Sequence, residues 1–438
     1  MKGLRSFLVL VVIAAALGGF LYYDSKRAPE NPSKLEKVFP GVEADKIEQV
    51  TVTSASGDKT TLQKDGTAWR VAAPAAVPAD EAEISGITSN LASLEMQRVV
   101  DEQTKDFKEY GLDPAKVSVS FKAGGKEQTL LLGGKTPTGG DMYARLPSSP
   151  RVFLVSSFLE TTFNKSTFDL RDKTVLKLDR EKVDRIEVQT ADRTLTFVKQ
   201  GSDWRLTAPI DARADFGAVE GIVGRLNTSP MKAIEAAEVK DPKELAKYGL
   251  DKPAATVRVT SGSSQAGLAI GKAAAEGTVY AKDLSRPMIF TVESTLADEL
   301  KKPADEFRIK DLFDARAFNT TRIEVTRQGQ TLAFEKDKDA WKQVAPAAKA
   351  ADAGKVDALL SALSSTRATG FETKLAATGI DTPELVATLK FDDGKKEEKV
   401  TFAKKGADAF ARREGDTAVA KIDAATLDGI IKAFDALK

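Results

Sequence analysis

Two kinds of segment in this chain have residue types and spacing that could support chemistry. The stretch LGGKTPTGG at residues 132–140 is similar to a phosphate-binding loop, but that motif needs a glycine at position 129, where Thr129 stands. The acidic stretches ADEAEIS and DEQTKD could pair carboxylates for glycoside hydrolysis, although acids at helix starts usually complement the helix dipole. We therefore predict a hairpin turn for the first segment and no catalytic pair in the others.

The composition excludes several classes of active site. The 438 residues include no histidine and no cysteine, so Cys/His zinc sites, cysteine nucleophiles, Ser-His-Asp triads and disulfides cannot form. The 65 Lys and Arg residues balance 64 Asp and Glu, which leaves no basic field to attract nucleic acid. We expect a protein that is not an enzyme and that has no cofactor, no metal site and no nucleic-acid partner.

The N-terminal segment predicts a membrane anchor. Residues 7–23 carry no charge, and as a helix they would span about 25 Å, close to the roughly 30 Å hydrocarbon core. Tyr22 and Tyr23 stand where interfacial anchors are usual. A cleavable signal peptide is the alternative, because the run contains small residues. The small residues that could contact another membrane helix are Ala14, Ala15, Ala16, Gly18 and Gly19.

This anchor predicts a single-pass topology in a bacterial inner membrane. Residues 1–6 would be a cytoplasmic tail, 7–23 an uncleaved signal-anchor helix and 24–38 a polar linker that contains proline. The bulk of the chain would then lie in the periplasm or outside the cell.

Internal repetition organises the rest of the chain. A short alternating strand recurs at residues 47–54, 183–190 and 320–327. Each strand is followed by a tryptophan, a basic residue and a proline: Trp69-Arg70 with Pro74, Trp204-Arg205 with Pro209, and Trp341-Lys342 with Pro346. Neighbours on a strand face opposite ways, so we predict that each tryptophan closes the core while the basic residue meets solvent. Contact of an exposed tryptophan with a glycan or a partner is the alternative.

A helix is predicted after each proline. Asp80, Asp215 and Asp352 suit the N-cap, where a side-chain oxygen accepts from free amide groups of the first turn. Apolar residues follow at matching offsets and form one helical face. They are Ile84, Ile87 and Leu91, then Val219, Ile222 and Leu226, then Val356, Leu359 and Leu363.

A repeated turn follows each helix, written EYGLDP, KYGLDKP and, in a diverged form, ATGIDTP. Its leading residues are Tyr110 and Gly111, Tyr248 and Gly249, and Thr378 and Gly379. We predict that each glycine is a left-handed C-cap of the helix, with the next apolar residue folding back onto that helix. A ligand-binding turn is the alternative.

Strands close each unit, and one of them carries an aromatic-Ala-basic triplet. The triplets are Tyr143-Ala144-Arg145, Tyr280-Ala281-Lys282 and Phe410-Ala411-Arg412. The aromatic and basic residues share a face of the strand, so cross-strand or cation–π packing would account for them without a ligand. A final strand and an apolar helix complete the unit.

The sequence therefore predicts an α+β protein: an N-terminal transmembrane helix, then three tandem repeats of an antiparallel-sheet-plus-helix module. The predicted modules are residues 39–175, 176–313 and 314–438.

Together these features resemble the bacterial family called domain of unknown function 4340. The resemblance rests on the tryptophan with its basic neighbour, the proline, the Y-G-L-D turn, the glycine in LGGK or IGK, and the aromatic-Ala-basic strand, and it covers most of residues 39–438. It implies a single-span membrane protein associated with an ABC transporter permease, its ATPase and a periplasmic partner similar to gliding-motility auxiliary proteins. No catalytic residues are established for the family. The third repeat departs most, with Thr378 in place of tyrosine and FAKKG in place of LGGK.

Three functions are compatible with these observations. The favoured one is a non-enzymatic, membrane-anchored extracytoplasmic accessory or scaffold subunit of an ABC-type transporter. A binding protein for cell-envelope glycan or lipid is the second, and an envelope hydrolase or transferase is the third. Repeated modules favour the first two, because stacked units make extended surfaces rather than one deep cleft.

Overall fold

The computed structural model describes residues 35–438 except 240, 276 and 339. Within that part of the chain the prediction of a repeated antiparallel sheet with helices is confirmed, since three sheets of nine strands follow one another along the sequence. We call each sheet with its helices a module. The chain divides into two compact units, one ending at Lys173 with the first module and the other, Thr174–Lys438, with the second and third modules.

All three sheets have the same strand order. In the first sheet it is β4-β3-β2-β1-β6-β7-β8-β9-β5, and the pairings are antiparallel. Its strands are β1 (Ile47–Thr53), β2 (Lys59–Asp65), β3 (Ala68–Ala73), β4 (Val77–Pro78), β5 (Arg98–Asp101), β6 (Val117–Ala123), β7 (Lys126–Lys135), β8 (Asp141–Arg145) and β9 (Val152–Ser156).

The second and third sheets repeat this order within the second compact unit. The second has β10 (Val183–Thr190), β11 (Thr194–Gln200), β12 (Asp203–Ala208), β13 (Ala212–Arg213), β14 (Ala233–Ala236), β15 (Ala255–Ser261), β16 (Ser264–Ala273), β17 (Thr278–Asp283) and β18 (Ile289–Glu293). The third has β19 (Thr320–Arg327), β20 (Gln330–Asp337), β21 (Ala340–Ala345), β22 (Lys349–Ala350), β23 (Gly370–Glu372), β24 (Leu385–Phe391), β25 (Lys396–Lys405), β26 (Asp408–Arg413) and β27 (Val419–Ile422).

Each module has one long helix after its fourth strand and shorter or terminal helices after its last long strand. The α-helices are α1 (Glu81–Ser93), α2 (Leu159–Phe163), α3 (Thr167–Leu170), α4 (Phe216–Thr228), α5 (Ser294–Lys301), α6 (Ala353–Ser364) and α7 (Ala424–Asp435). Short 3₁₀ helices cover Ala44–Lys46, Lys108–Tyr110, Arg180–Lys182, Pro242–Tyr248, Ala304–Phe307 and Leu375–Ala377.

The predicted helix starts and apolar faces are present in α1, α4 and α6. The carboxylates of Asp80, Asp215 and Asp352 accept hydrogen bonds from amide groups of the first turn. All nine apolar residues predicted for the three faces are 0% exposed. They pack on the sheet residues that alternate inward, such as Val50 and Val52 of β1, because successive side chains of a strand point to opposite faces.

The position of the Y-G turn differs from the prediction. Helix α1 ends at Ser93, and strand β5 separates it from Gly111, which instead caps the 3₁₀ helix Lys108–Tyr110. The chain must cross to the far edge of the sheet, where β5 pairs with β9, before it reaches the turn. The short edge strands β5, β14 and β23 were not predicted, since three or four residues give too short a pattern of alternation.

The predicted transmembrane helix at residues 7–23, with Ala14, Ala15, Ala16, Gly18 and Gly19, lies outside the described residues. Among the helices of the described part, none has the length and apolar character needed to span a bilayer.

Candidate functional site

The Y-G turn of the first module rests directly on the backbone of strand β7. Gly111 has φ +65°, its amide donates to the Lys108 carbonyl at 2.9 Å, and the Leu112 amide donates to the Phe107 carbonyl at 2.9 Å. A Cβ atom at Gly133 of β7 would lie 2.2 Å from the Tyr110 carbonyl oxygen. Glycine is therefore required at position 133 for close approach and at position 111 for its left-handed backbone.

The second module repeats this arrangement. Gly249 has φ +67°, and a Cβ atom there would lie 2.9 Å from the backbone nitrogen of Lys272. A Cβ atom at Gly271 would lie 2.2 Å from the Tyr248 carbonyl oxygen, the same distance as in the first module. Gly133 of LGGK and Gly271 of IGK therefore leave the space that the Y-G turn occupies against each strand.

The two tyrosines of each of these modules contact each other. The rings of Tyr110 and Tyr143 have centroids 5.0 Å apart and an interplanar angle of 61°. For Tyr248 and Tyr280 the values are 5.1 Å and 75°. Edge-to-face packing of this kind is a favourable aromatic geometry, so the turn and the aromatic-Ala-basic strand stabilise each other.

In the third module, both the close approach of the turn to the strand and the tyrosine pair are replaced by other contacts. Gly379 keeps a positive φ of +69°, but a Cβ atom there would be 3.5 Å from its nearest neighbour, the Lys404 carbonyl oxygen. Ala403 occupies the position equivalent to Gly133, and Phe410 packs in an apolar cluster with Ile380 and Val419. Since the turn approaches the strand less closely, an alanine fits at position 403, and an apolar cluster stands where the other two modules have the tyrosine pair.

The basic residues of the first two triplets also have local partners. The guanidinium of Arg145 lies 4.0 Å from the ring centroid of Phe107, within cation–π range. Lys282 donates from Nζ to the carbonyl of Arg286 at 2.6 Å and to that of Asp283 at 3.1 Å. Burial lowers the pKa of Lys282, although the Asp283 carboxylate opposes this effect. Both side chains thus contribute to packing on this face of the sheet.

The tryptophans lie in a different part of each module. Trp204 and Trp341 are 2% and 3% exposed. Their Nε1 groups donate to Oε1 of Glu220 at 3.0 Å and to Oδ1 of Asp357 at 2.8 Å. Each acid stands five residues after the helix N-cap, and Trp69, which is only partly buried, has Ser85 at the equivalent position. The structure thus brings tyrosines and glycines together but places the tryptophans beside the long helices.

A charged cluster in the third module was not predicted from the sequence. The Glu398 side chain on β25 is 1% exposed, and Nη2 of Arg413 lies 2.8 Å from its Oε1. Its Oε2 accepts from the backbone amides of Asp314 and Ala315 at 2.9 Å and 3.2 Å. Burial raises the pKa of Glu398 above its ordinary value, and Arg413 opposes that rise.

Asp314 belongs to the same cluster but titrates in the opposite direction. Its Oδ2 lies 3.0 Å from Nη1 of Arg413, and its Oδ1 lies 3.3 Å from Nη1 of Arg213. Burial alone would raise the pKa of Asp314, but Arg413, a hydrogen bond with the Glu398 side chain and Arg213 together hold it below the ordinary value. Sequence patterns give no signal for this cluster because its members are far apart in the chain.

Two open grooves lie near the ends of the sheets. One, of about 760 Å³, is lined by residues that include Lys177, Arg180 and Lys182. Arg180 Nε lies 3.4 Å from Oε2 of Glu220, and Lys182 Nζ lies 2.7 Å from Oδ2 of Asp179. The other, of about 320 Å³, is lined by Glu48, Gln49, Gln63, Lys64, Gly66 and Lys122. In the part of the chain that the structure describes, no group of three Asp or Glu residues is arranged to hold a metal ion.

The segment LGGKTPTGG is a connection between two strands. Strand β7 ends at Lys135 and β8 begins at Asp141, and the Thr136 amide donates to the Asp141 carbonyl at 2.9 Å. The prediction of a hairpin turn is confirmed, and the segment lacks the following helix that a phosphate-binding loop requires.

Comparisons with solved structures give only weak likeness. A DNA polymerase sliding clamp from Pseudomonas aeruginosa with ligand is 8% identical, with 89% of this chain and 93% of the clamp covered and a TM-score of 0.18. A DNA polymerase III subunit beta from the same organism is 8% identical, with 89% and 94% covered and a TM-score of 0.15. Likeness at this level supports no argument about fold or function. No curated protein matches the chain significantly.

A protein-family comparison gives a specific result. Residues 69–203 and 204–383 each match the family described as Domain of unknown function (DUF4340). The matches contain the Y-G turns, the tyrosine pairs and the glycines against which the turns rest. Because they cover well over half of the sequence, the chain belongs to the DUF4340 family.

Proposed function

We propose that this protein is a non-enzymatic, membrane-anchored extracytoplasmic subunit that serves as a scaffold in an ABC-type transporter assembly. The observation that carries the proposal is the role of the repeated residues. Tyrosines, glycines and tryptophans that recur between modules hold turns, strands and helices in place rather than meeting in a cleft. Repetition has thus preserved a surface-forming module, which suits binding of other proteins.

The proposed location rests on the N-terminal segment. The uncharged run at residues 7–23 would anchor the protein in the bacterial inner membrane, with the modules in the periplasm or outside the cell. The proposed partners are a permease, its ATPase and a periplasmic auxiliary protein similar to those of gliding motility. These partners follow from the family resemblance.

A native pull-down of the full-length protein from gently solubilised membranes tests the proposal. We expect an ABC-type permease and ATPase at near-stoichiometric amounts when the recovered proteins are identified by mass spectrometry. Recovery of the protein alone would contradict a stable transporter complex and would favour the alternative function, binding of cell-envelope glycan or lipid.

The small residues of the anchor provide a sharper test. Replacing Gly18 and Gly19 with leucine should reduce recovery of the permease, because bulky side chains prevent close helix contact. Replacing Val11 and Val12 with leucine is the matched control, since it adds two leucines to the same run without removing a small residue. Equal recovery of the permease with both variants would reject the small-residue interface. The scaffold proposal itself would then be tested by the pull-down alone.

A further inference from the structure

A connector, residues 302–319, lies between the second and third modules within one compact unit. On one side Arg308 of the connector forms an isolated β-bridge with Ala214, just after β13. On the other side Asp311 forms a bridge with Arg367, just after α6. The connector therefore contacts both modules through its backbone.

Arg213 at the end of β13 reaches from the second module across this connector. Its Nη1 lies 3.3 Å from Oδ1 of Asp314, and its Nη2 donates to the Asp311 carbonyl at 3.2 Å. Its Nε lies 4.0 Å from Oδ1 of Asp416, in the loop between β26 and β27. One guanidinium thus contacts the connector at two points and the third module at a third.

The carboxylate that receives Arg213 is held in position from the other side. Asp314 is paired with Arg413, which is paired in turn with the buried Glu398. Glu398 also accepts from the backbone amides of Asp314 and Ala315. Isolated exposed ion pairs contribute little, but a network with fixed geometry avoids the loss of side-chain freedom that weakens them.

Two further contacts surround this network. Thr417 donates from Oγ1 to the Asp211 carbonyl at 3.1 Å. The Arg308 guanidinium, on a side chain only 5% exposed, lies 3.4 Å from the ring centroid of Phe371. Residues of both modules and of the connector, among them Arg213, Arg308 and Thr417, line one small cavity of about 10 Å³ at this point.

Arg213 has no counterpart in the other modules. Arg205 pairs in register with Arg213, and the equivalent pairs are Arg70 with Pro78 and Lys342 with Ala350. Neither proline nor alanine can make these ionic contacts. The arginine is therefore a feature added to one copy of a repeated strand, at the position that faces the connector.

We propose that Arg213 is an ionic clasp that makes the second and third modules move as one body. Through the clasp, a displacement imposed on one of these modules is passed to the other instead of being absorbed by the connector. This inference does not depend on the proposed function, because it concerns contacts within the chain alone.

Distance measurements between spin labels test the clasp in the full-length protein. The chain contains no cysteine, so Ser263→Cys and Lys355→Cys would be the only labelled sites. Both positions are exposed, the first in the turn between β15 and β16 and the second on α6. We expect a single narrow distance distribution between the labels in the otherwise unchanged protein.

Substitution of Arg213 should broaden that distribution. Arg213→Gln removes the charge and should produce a wider distribution with unchanged circular dichroism. Arg327→Gln is the matched control, because Arg327 is 13% exposed and pairs with Glu384 and Asp435 inside the third module. The distribution of distances between the labels should stay narrow in the Arg327→Gln variant.

A second variant tests whether the broadening in Arg213→Gln could come from a folding defect of that variant. Asp314→Asn keeps the side-chain shape but removes the shared charge, so it should broaden the distribution as Arg213→Gln does. A narrow distribution in either junction variant overturns the proposal. Equal broadening in Arg327→Gln also overturns it, since the effect would then reflect general destabilisation.

Discussion

At the scale of single residues, the repeated signature is explained by the space around a few atoms. Tyr110 and Tyr248 place their carbonyl oxygens against β7 and β16, where a side chain at Gly133 or Gly271 would overlap them. The tyrosine rings then pack on Tyr143 or Tyr280 from the neighbouring strand. These residues support the fold of their module.

Gly133→Ala tests this explanation. The added Cβ atom would lie 2.2 Å from a backbone oxygen, so either the turn or β7 must shift. We expect the free energy of unfolding to fall by about 1–3 kcal/mol, the usual cost of overpacking. Gly134→Ala is the control because its nearest contact is an ordinary 3.6 Å. Urea unfolding followed by circular dichroism measures both, and equal effects would refute the explanation.

At the scale of elements, the long helix of each module is positioned by its first residue and its buried face. Asp215 accepts from the Ala218 amide at 2.8 Å, and its own amide donates to the Phe307 carbonyl at 2.8 Å. Val219, Ile222 and Leu226 then face the sheet with no exposed surface. The cap therefore fixes both where α4 begins and how it meets the connector.

Asp215→Ala should destabilise the protein by about 1 kcal/mol, because a first-turn amide loses its acceptor. Asp215→Ser retains a side-chain oxygen suited to the cap and should recover most of the loss. Thermal unfolding of the full-length protein compares the two variants. Equal losses for alanine and serine would show that capping is not the role of this side chain.

At the scale of the whole molecule, the same fold is repeated three times, but some side-chain contacts occur in only one part of the chain. The first compact unit holds one module, and the second holds two modules with their connector. The cluster formed by Glu398, Asp314, Arg413 and Arg213 belongs to the second unit only. Its charges make the stability of that unit depend on pH.

The buried carboxyl of Glu398 has a raised pKa in the folded protein. Its contribution to stability is therefore complete below the ordinary carboxyl value of 4.5 and is lost as the pH rises through the raised folded pKa. We expect Glu398→Gln, which cannot ionise, to remove this decline. The free energy of unfolding from urea titrations at a series of pH values checks the slope, and an unchanged decline in the variant would contradict the assignment.

Asp314 should act in the opposite direction. Its lowered folded pKa gives a contribution that is present above the ordinary value of 3.8 and is lost as the pH falls through the folded pKa. The same titrations with Asp314→Asn should therefore reduce the loss of stability at the acidic end.

Much of each module can be read from the sequence because local patterns specify it. Strand alternation, the N-cap aspartates and the helical spacing that begins at Ile84 depend on neighbours within a few residues. Edge strand β5 could not be predicted, because four residues with one half-buried face give no clear alternation. The misplaced cap at Gly111 has the same cause, since the unseen strand lies between it and α1.

The sequence by itself determined the repeat, the N-caps and buried faces of the long helices and the main strands of each module, but not the short edge strands. Only the tertiary structure decided that Gly133 supports Tyr110, that Glu220 binds Trp204 and that Arg213 reaches Asp314. The first set depends on interactions between close neighbours, whose spacing is visible in the chain. The second depends on the register of paired strands and the path of the connector, which bring together residues separated by up to 101 positions.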